Sequence, residues 1–266
     1  MQQQQFTAAL ARRLRRLSTL ATALGASVLL SACVSGTSGD TACANNSLAS
    51  PLTGKIAGNV VVPRDATCYL KANVAGDVNA KDGAKVYVLD GTRIGGSFRA
   101  VGAQLVRFNL DESAINLSNR PDGTAGKVVV GSNLIIKESR LAGESGIAAT
   151  EIGGNLVIAR NESAATAPAS VKVCTPGICK AKELVKVGKS VKIKQNHIEV
   201  AINNTSIGAD LKCSSNQQAP VVLKAAAIGG QVAVKGRRSG QCEQLREVVM
   251  APAAAPVAVL TPKAVQ

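Results

Sequence analysis

A seven-residue pattern returns eight times along this 266-residue chain. Its copies are IAGNVVV at 56–62, VAGDVNA at 74–80, IGGSFRA at 94–100, VGSNLII at 130–136, IGGNLVI at 152–158, VGKSVKI at 187–193, IGADLKC at 207–213 and IGGQVAV at 228–234. Successive starts lie 18, 20, 36, 22, 35, 20 and 21 residues apart. A period near 20 with short apolar alternation is the signature of a solenoid of strands. The two near-double gaps predict a degenerate copy near residue 112 and another near residue 170.

Within each copy the fifth residue is apolar: Val60, Val78, Phe98, Leu134, Leu156, Val191, Leu211 and Val232. The seventh is also apolar, from Val62 to Val234, while the sixth is mixed and includes Arg99, Lys192 and Lys212. Period two of this kind puts one face inward and the other outward. The third residue is usually Gly, a residue that admits positive φ at a corner. The fourth is always polar: Asn59, Asp77, Ser97, Asn133, Asn155, Ser190, Asp210 and Gln231. Stacked at the strand spacing of about 4.8 Å, such side chains can hydrogen-bond up and down as a ladder. A second alternating segment follows each copy, as in AKVYV at 84–88, and a third leads into the next. The prediction is an all-β, single-domain parallel β-helix over residues 51–245, with three strands per coil and about nine or ten coils. The variable spacing favours the right-handed form over the left-handed hexapeptide type.

The ends differ from the middle. Residues 1–32 contain no acid, carry Arg12, Arg13, Arg15 and Arg16, and continue into the small, apolar run STLATALGASVLLSA. That run is short for a membrane span and reads as a signal peptide. It closes on LSAC, Leu30 to Cys33, which resembles the lipobox of bacterial lipoproteins. The resemblance implies cleavage before Cys33, acylation of that cysteine, and membrane lipid as a partner. Val34, rather than Asp, after the cysteine implies the outer membrane. Residues 33–50 read as a flexible Ser/Thr/Gly/Asn tether, and the Ala/Pro-rich segment 246–266 as a disordered tail.

With Cys33 acylated, six of the seven cysteines remain, an even number in an oxidising compartment. Cys43 and Cys68 lie 25 residues apart, and Cys213 and Cys242 lie 29 apart. Either spacing lets one coil be stapled to its neighbour near an end. Cys174 and Cys179 flank a Pro-Gly turn and can close a small loop. Spacing alone leaves the connectivity open. The succession of IGADLKC, IGGQVAV and the ending GQCEQL resembles the C-terminal coils of secreted bacterial β-helix proteins of unassigned function. That likeness speaks to fold, not activity.

No catalytic constellation emerges. The single histidine, His197, is turned outward by the parity of Ile198, Val200 and Ile202, so neither a metal site nor a His-based acyltransferase is expected. Asp77 and Asp210 share a corner but sit many coils apart, and Asp111 and Glu112 are adjacent, so a strand would turn them to opposite faces. Only four aromatics follow the signal: Tyr69, Tyr87, Phe98 and Phe108. These are too few for a stacking platform, which argues against nucleic acid as a partner. No catalytic residue, metal or cofactor is assigned.

Charge is the remaining signal. Without the four signal arginines, 27 Lys and Arg face 17 acids, a net charge of +10. The stretch at 179–195 concentrates Lys180, Lys182, Lys186, Lys189, Lys192 and Lys194 against Glu183. Outward lysines of neighbouring turns would join into a stripe, and Lys186, Lys189, Lys192 and Lys194 are the candidate face for an anionic glycan or lipid headgroups. The same lysines would also guard a solenoid against edge-to-edge aggregation. The expected function is a lipid-anchored, non-enzymatic structural or binding element of the cell envelope. A carbohydrate-active β-helix enzyme and a bactofilin-like self-assembling scaffold are the alternatives.

Overall fold

Why the polar corner recurs is clear from the computed structural model, which describes residues 39–109, 126–164, 168–176, 178–179, 183–224 and 231–249. These residues are all-β, and no helix occurs among them. The strands pair in parallel in one nine-stranded and one fifteen-stranded sheet, with a small two-stranded pair beside them. The arrangement is that of a parallel β-helix-like fold. One circuit runs through Thr150–Ile152, turns at Gly153 and Gly154, continues along Leu156–Ala159, turns again at Arg160, and returns through Ser170–Val173 to Val185–Val187. The strand Val185–Val187 then lies beside Thr150–Ile152, where the circuit began.

The nine-stranded sheet is the spine of the repeat. Its order is Thr41–Ala42, Val60–Val62, Val78–Ala80, Phe98–Val101, Leu134–Lys137, Leu156–Ala159, Val191–Lys194, Leu211–Ser214 and Arg238–Gly240. The fifth and seventh residues of the first seven copies are buried inside, Phe98 and Leu156 among them. Phe98 packs edge-on against Phe108, with ring centroids 4.8 Å apart. Burying a side chain such as Leu156 contributes about 1.5–3 kcal/mol, and only a stack of coils supplies both walls.

The fourth-position ladder is present, and its bonds run chiefly from side chain to backbone. Asn59 accepts from the N–H of Asp77 at 2.8 Å, Asp77 from Ser97 at 2.7 Å, and Ser97 from Asn133 at 3.3 Å. Asn133 accepts from Asn155 at 2.9 Å, Asn155 from Ser190 at 3.2 Å, and Ser190 from Asp210 at 3.3 Å. Each oxygen thus satisfies an amide that the turn would otherwise leave without a ladder partner. Asn, Asp and Ser serve alike, because the role needs only an acceptor on a short side chain.

Glycine's role at this corner differs from the expected one. Gly153 does not have positive φ. A Cβ there would fall against the carbonyl oxygen of Gly131 on the rung below. Close approach of rungs, not backbone handedness, selects glycine. Positive φ belongs instead to a second corner, where Glu138, Arg160, Gln195 and Ser215 all have φ of 53–54°. The residue after each turns inward. Ser139, Asn161 and Asn196 are fully buried, and Asn216 nearly so.

Two repeat expectations are corrected. Ile94 pairs directly with Val130, and Ile152 with Val187, so no coil is hidden near 112 or 170. Residues 110–125 lie outside the described residues. The last copy is not IGGQVAV: Val234 is the partner of Ile207, and Arg238 the partner of Leu211. The true copy is therefore VKGRRSG at 234–240, hidden because a cation occupies its inward position. Thr41–Ala42, within residues 33–50, pairs with Val60 and Val61, and Arg246–Val249 pairs with Val221–Lys224.

Candidate functional site

Strand alternation decides where the lysines point. In Val185–Val187 the flanking valines are buried and Lys186 is exposed, and Val191–Lys194 likewise sends Lys192 and Lys194 outward. Lys189 stands exposed on the corner between those strands. Lys186 faces Glu151 of the adjacent rung at 3.4 Å, and Lys127 reaches the same carboxylate at 2.9 Å. The hydrogen bond from Lys127 is the largest of the effects that hold the Glu151 carboxyl below its usual range. Lys186 is therefore charge-paired, and it lies on the fifteen-stranded sheet. The four candidates do not form one stripe. Lys189, Lys192 and Lys194 stay together at the edge and on the face of the nine-stranded sheet. Lys180, Lys182 and Cys33 lie outside the described residues.

Across the rungs, Lys192 is in register with Lys212, whereas Lys194 is flanked by Ala159 and Ser214. The group continues onto the last coil, where Lys235 and Arg237 are exposed. Sequence reasoning did not gather Lys212, Lys235 and Arg237 into the site. The signal for Lys212 was its sixth-position parity, shared with Lys192. The last two were obscured by the misplaced final copy. The group contains one acid, Asp210, with Lys212 at 3.0 Å. The backbone N–H of Arg237, donating at 3.0 Å, is first among the causes that depress the Asp210 carboxyl, followed by Lys212. Lys189, Lys192, Lys194 and Lys235 make no ion pair among the described residues.

The cysteines meet as three pairs. Cα–Cα distances are 5.4 Å for Cys43–Cys68, 4.9 Å for Cys174–Cys179 and 5.2 Å for Cys213–Cys242, inside the range that a disulfide spans. The first pair ties the opening rung to the core beside Asn46. The side chain of Asn46 accepts from the N–H of Tyr69 at 2.7 Å and donates to its carbonyl at 2.9 Å. It thus takes the place of a missing neighbouring strand along that edge. The last pair joins the two rungs that also carry Lys212, Lys235 and Arg237.

Among the described residues, reactive groups do not converge elsewhere. His197 is exposed, and among the described residues no three of His, Cys, Asp and Glu gather around a common point. Asp77 and Asp210 stand five rungs apart on the ladder, about 24 Å at the strand spacing. Asp111 and Glu112 lie outside the described residues. Tyr69 and Tyr87 point away from the core yet are only 3% and 5% exposed, stacked with centroids 4.4 Å apart, so their ring faces are not open to a sugar. Lys172 pairs with Glu144, whose carbonyl also accepts from Arg107 Nε at 3.2 Å. No protein family matches this chain, and neither does any curated protein or solved structure.

Proposed function

We propose that the protein is a lipid-anchored, non-enzymatic β-helix of the cell envelope that binds an anionic partner through its basic face. In this reading Cys33 carries the lipid in the outer membrane. The body is a right-handed parallel β-helix with three strands per coil, and the nine strands of one sheet support a count of about nine coils. Membrane lipid through Cys33 is one partner, and an anionic glycan or headgroup surface is the other. No metal, cofactor or nucleic acid is required.

The observation that carries the binding role is the register of Lys192 and Lys212. Two cations stacked one rung apart repel, and only Lys212 has an adjacent carboxylate. An anion across both would offset that repulsion. A self-assembling filament is disfavoured by the last rung, where Arg238 stands at an inward position and donates to the carbonyl of Val232 at 2.8 Å. There the rung presents a cation where earlier rungs present an apolar side chain.

The test uses the chain with Cys33→Ser, so that no lipid contributes. It should bind polygalacturonate or anionic vesicles, and salt should weaken the binding, because surface charges are screened beyond about 8 Å at physiological ionic strength. Changing Lys189, Lys192, Lys194 and Lys212 to Gln should remove most of it. A control that changes Lys55, Lys71, Lys81 and Lys85 should retain it. Equal losses in the two variants would reduce the effect to net charge.

A further inference from the structure

The outward row of the nine-stranded sheet is read by the register of its rungs. From the N-terminal end the sixth-position residues are Ala42, Val61, Asn79, Arg99, Ile135, Val157, Lys192, Lys212 and Ser239. On this row the first four rungs carry a single cation, Arg99, and it pairs with Asp77 at 3.3 Å. On the same row, cations reappear only at the seventh rung, with Lys192. Lys189 and Lys194 flank that rung, and Lys235 and Arg237 extend the group to the ninth. The basic group therefore occupies the C-terminal end of the solenoid.

Resting on the anchor reading above, we infer that this end engages an acidic polysaccharide held away from the anchoring membrane, not the membrane's own headgroups. Gly39, where the described chain begins, lies six residue steps from Cys33, so the connection reaches no further than about 21 Å. The seventh rung stands six strand spacings from the first, about 29 Å, and the ninth about 38 Å. A solenoid lying on its side against an anionic bilayer would be served by cations along the whole row. This row is neutral over the half nearest the anchor. An upright solenoid instead presents Lys192 and Lys212 to a linear polymer running along the axis, with about one charge per strand spacing. Ile135 and Val157, half-buried and next along the row, offer an apolar surface to the C–H faces of sugar rings. A bilayer headgroup layer would have no use for that continuation.

The experiment uses the full lipid-bearing chain in vesicles of phosphatidylcholine, with fluorescently labelled polygalacturonate as probe. The polymer should float with the vesicles, and capture should fall by about tenfold or more when Lys189, Lys192, Lys194 and Lys212 are changed to Gln. Capture should persist when the vesicles also contain phosphatidylglycerol, because the basic end does not reach them. Loss of capture on adding phosphatidylglycerol would overturn the inference and place the cations on the membrane. A chain that does not float with neutral vesicles would overturn the anchor and with it the upright geometry. Fluorescence anisotropy with the same polymer in solution would then show separately whether the basic group binds without it.

Discussion

Asn196 and Asn216 hold the same place on successive rungs, and Asn196 Nδ2 donates to Asn216 Oδ1 at 2.9 Å inside the solenoid. The pair belongs to a second ladder that passes from Ser139 through Asn161, Asn196 and Asn216 to Gln241. Each asparagine also donates to a backbone carbonyl of the adjoining strand, as Asn196 does to Ile158 at 3.0 Å. From Ser139 through Asn196 the ladder is fully buried, so the amides satisfied there have no water to fall back on.

Asn196→Ala should therefore destabilise the protein by about 1–3 kcal/mol, since it leaves the buried N–H of Asn161 unpartnered and removes a donor from the carbonyl of Ile158. Lys194→Ala, two residues away and exposed, should change stability by no more than about 0.5 kcal/mol. Urea denaturation of the two variants decides the matter. Equal stabilities would remove the ladder from the list of what holds the coils together.

The core register is tested at adjacent positions. Leu156 is fully buried and Val157 points outward, half-covered by its neighbours. Leu156→Asp places an unpaired charge between stacked coils and should abolish folding, whereas Val157→Asp should fold. Circular dichroism and thermal melting of both variants provide the reading. Comparable losses would refute the inward and outward assignment.

Glu151 offers a pH test whose sign follows from Lys127. Its carboxyl titrates below the ordinary glutamate value of about 4.3 because Lys127 and Lys186 favour the charged form. A depressed folded-state pKa adds stability above the ordinary value, and that contribution fades as pH falls through the lower one. The effect is small, since both partners are open to water. Lys127→Gln should move the carboxyl toward its ordinary range in an NMR titration. An unchanged titration would dismiss the ion pair.

Cys33→Ser should release the protein from membranes, because acyl chains contribute about 0.8 kcal/mol per buried CH₂. Fractionation after a high-salt wash is the measurement. A variant that stays with the membrane would exclude acylation as the anchor.

Much of this fold was legible because stacked coils repeat their constraints. Val60, Phe98 and Leu156 share a position and a parity, and Asn59, Asp77 and Asn155 share a corner chemistry. Seven copies could therefore be placed by inspection. The eighth could not, because Arg238 and Gly240 at the open end replace the apolar residues that mark a copy elsewhere. The inner ladder was missed for a related reason. Ser139, Asn161, Asn196 and Asn216 each fall ten residues into a copy, but a polar residue after a strand usually announces a surface turn. Only the positive φ before each one aims it inward. The basic group was half legible: Lys189, Lys192 and Lys194 are neighbours in sequence, whereas Lys212 joins them only through strand register.

The placement of Cys43–Cys68 and Cys213–Cys242 bears on how such a molecule carries load. The strands leave the nine-stranded sheet at opposite ends, so tension between an anchor at one end and a ligand at the other would peel the terminal rungs one at a time. Both staples join an end rung to the coil beside it, where peeling would start. Reduction would leave the middle coils intact and turn each end into a fraying thread, so the mechanical strength of the molecule would follow the redox state of its surroundings.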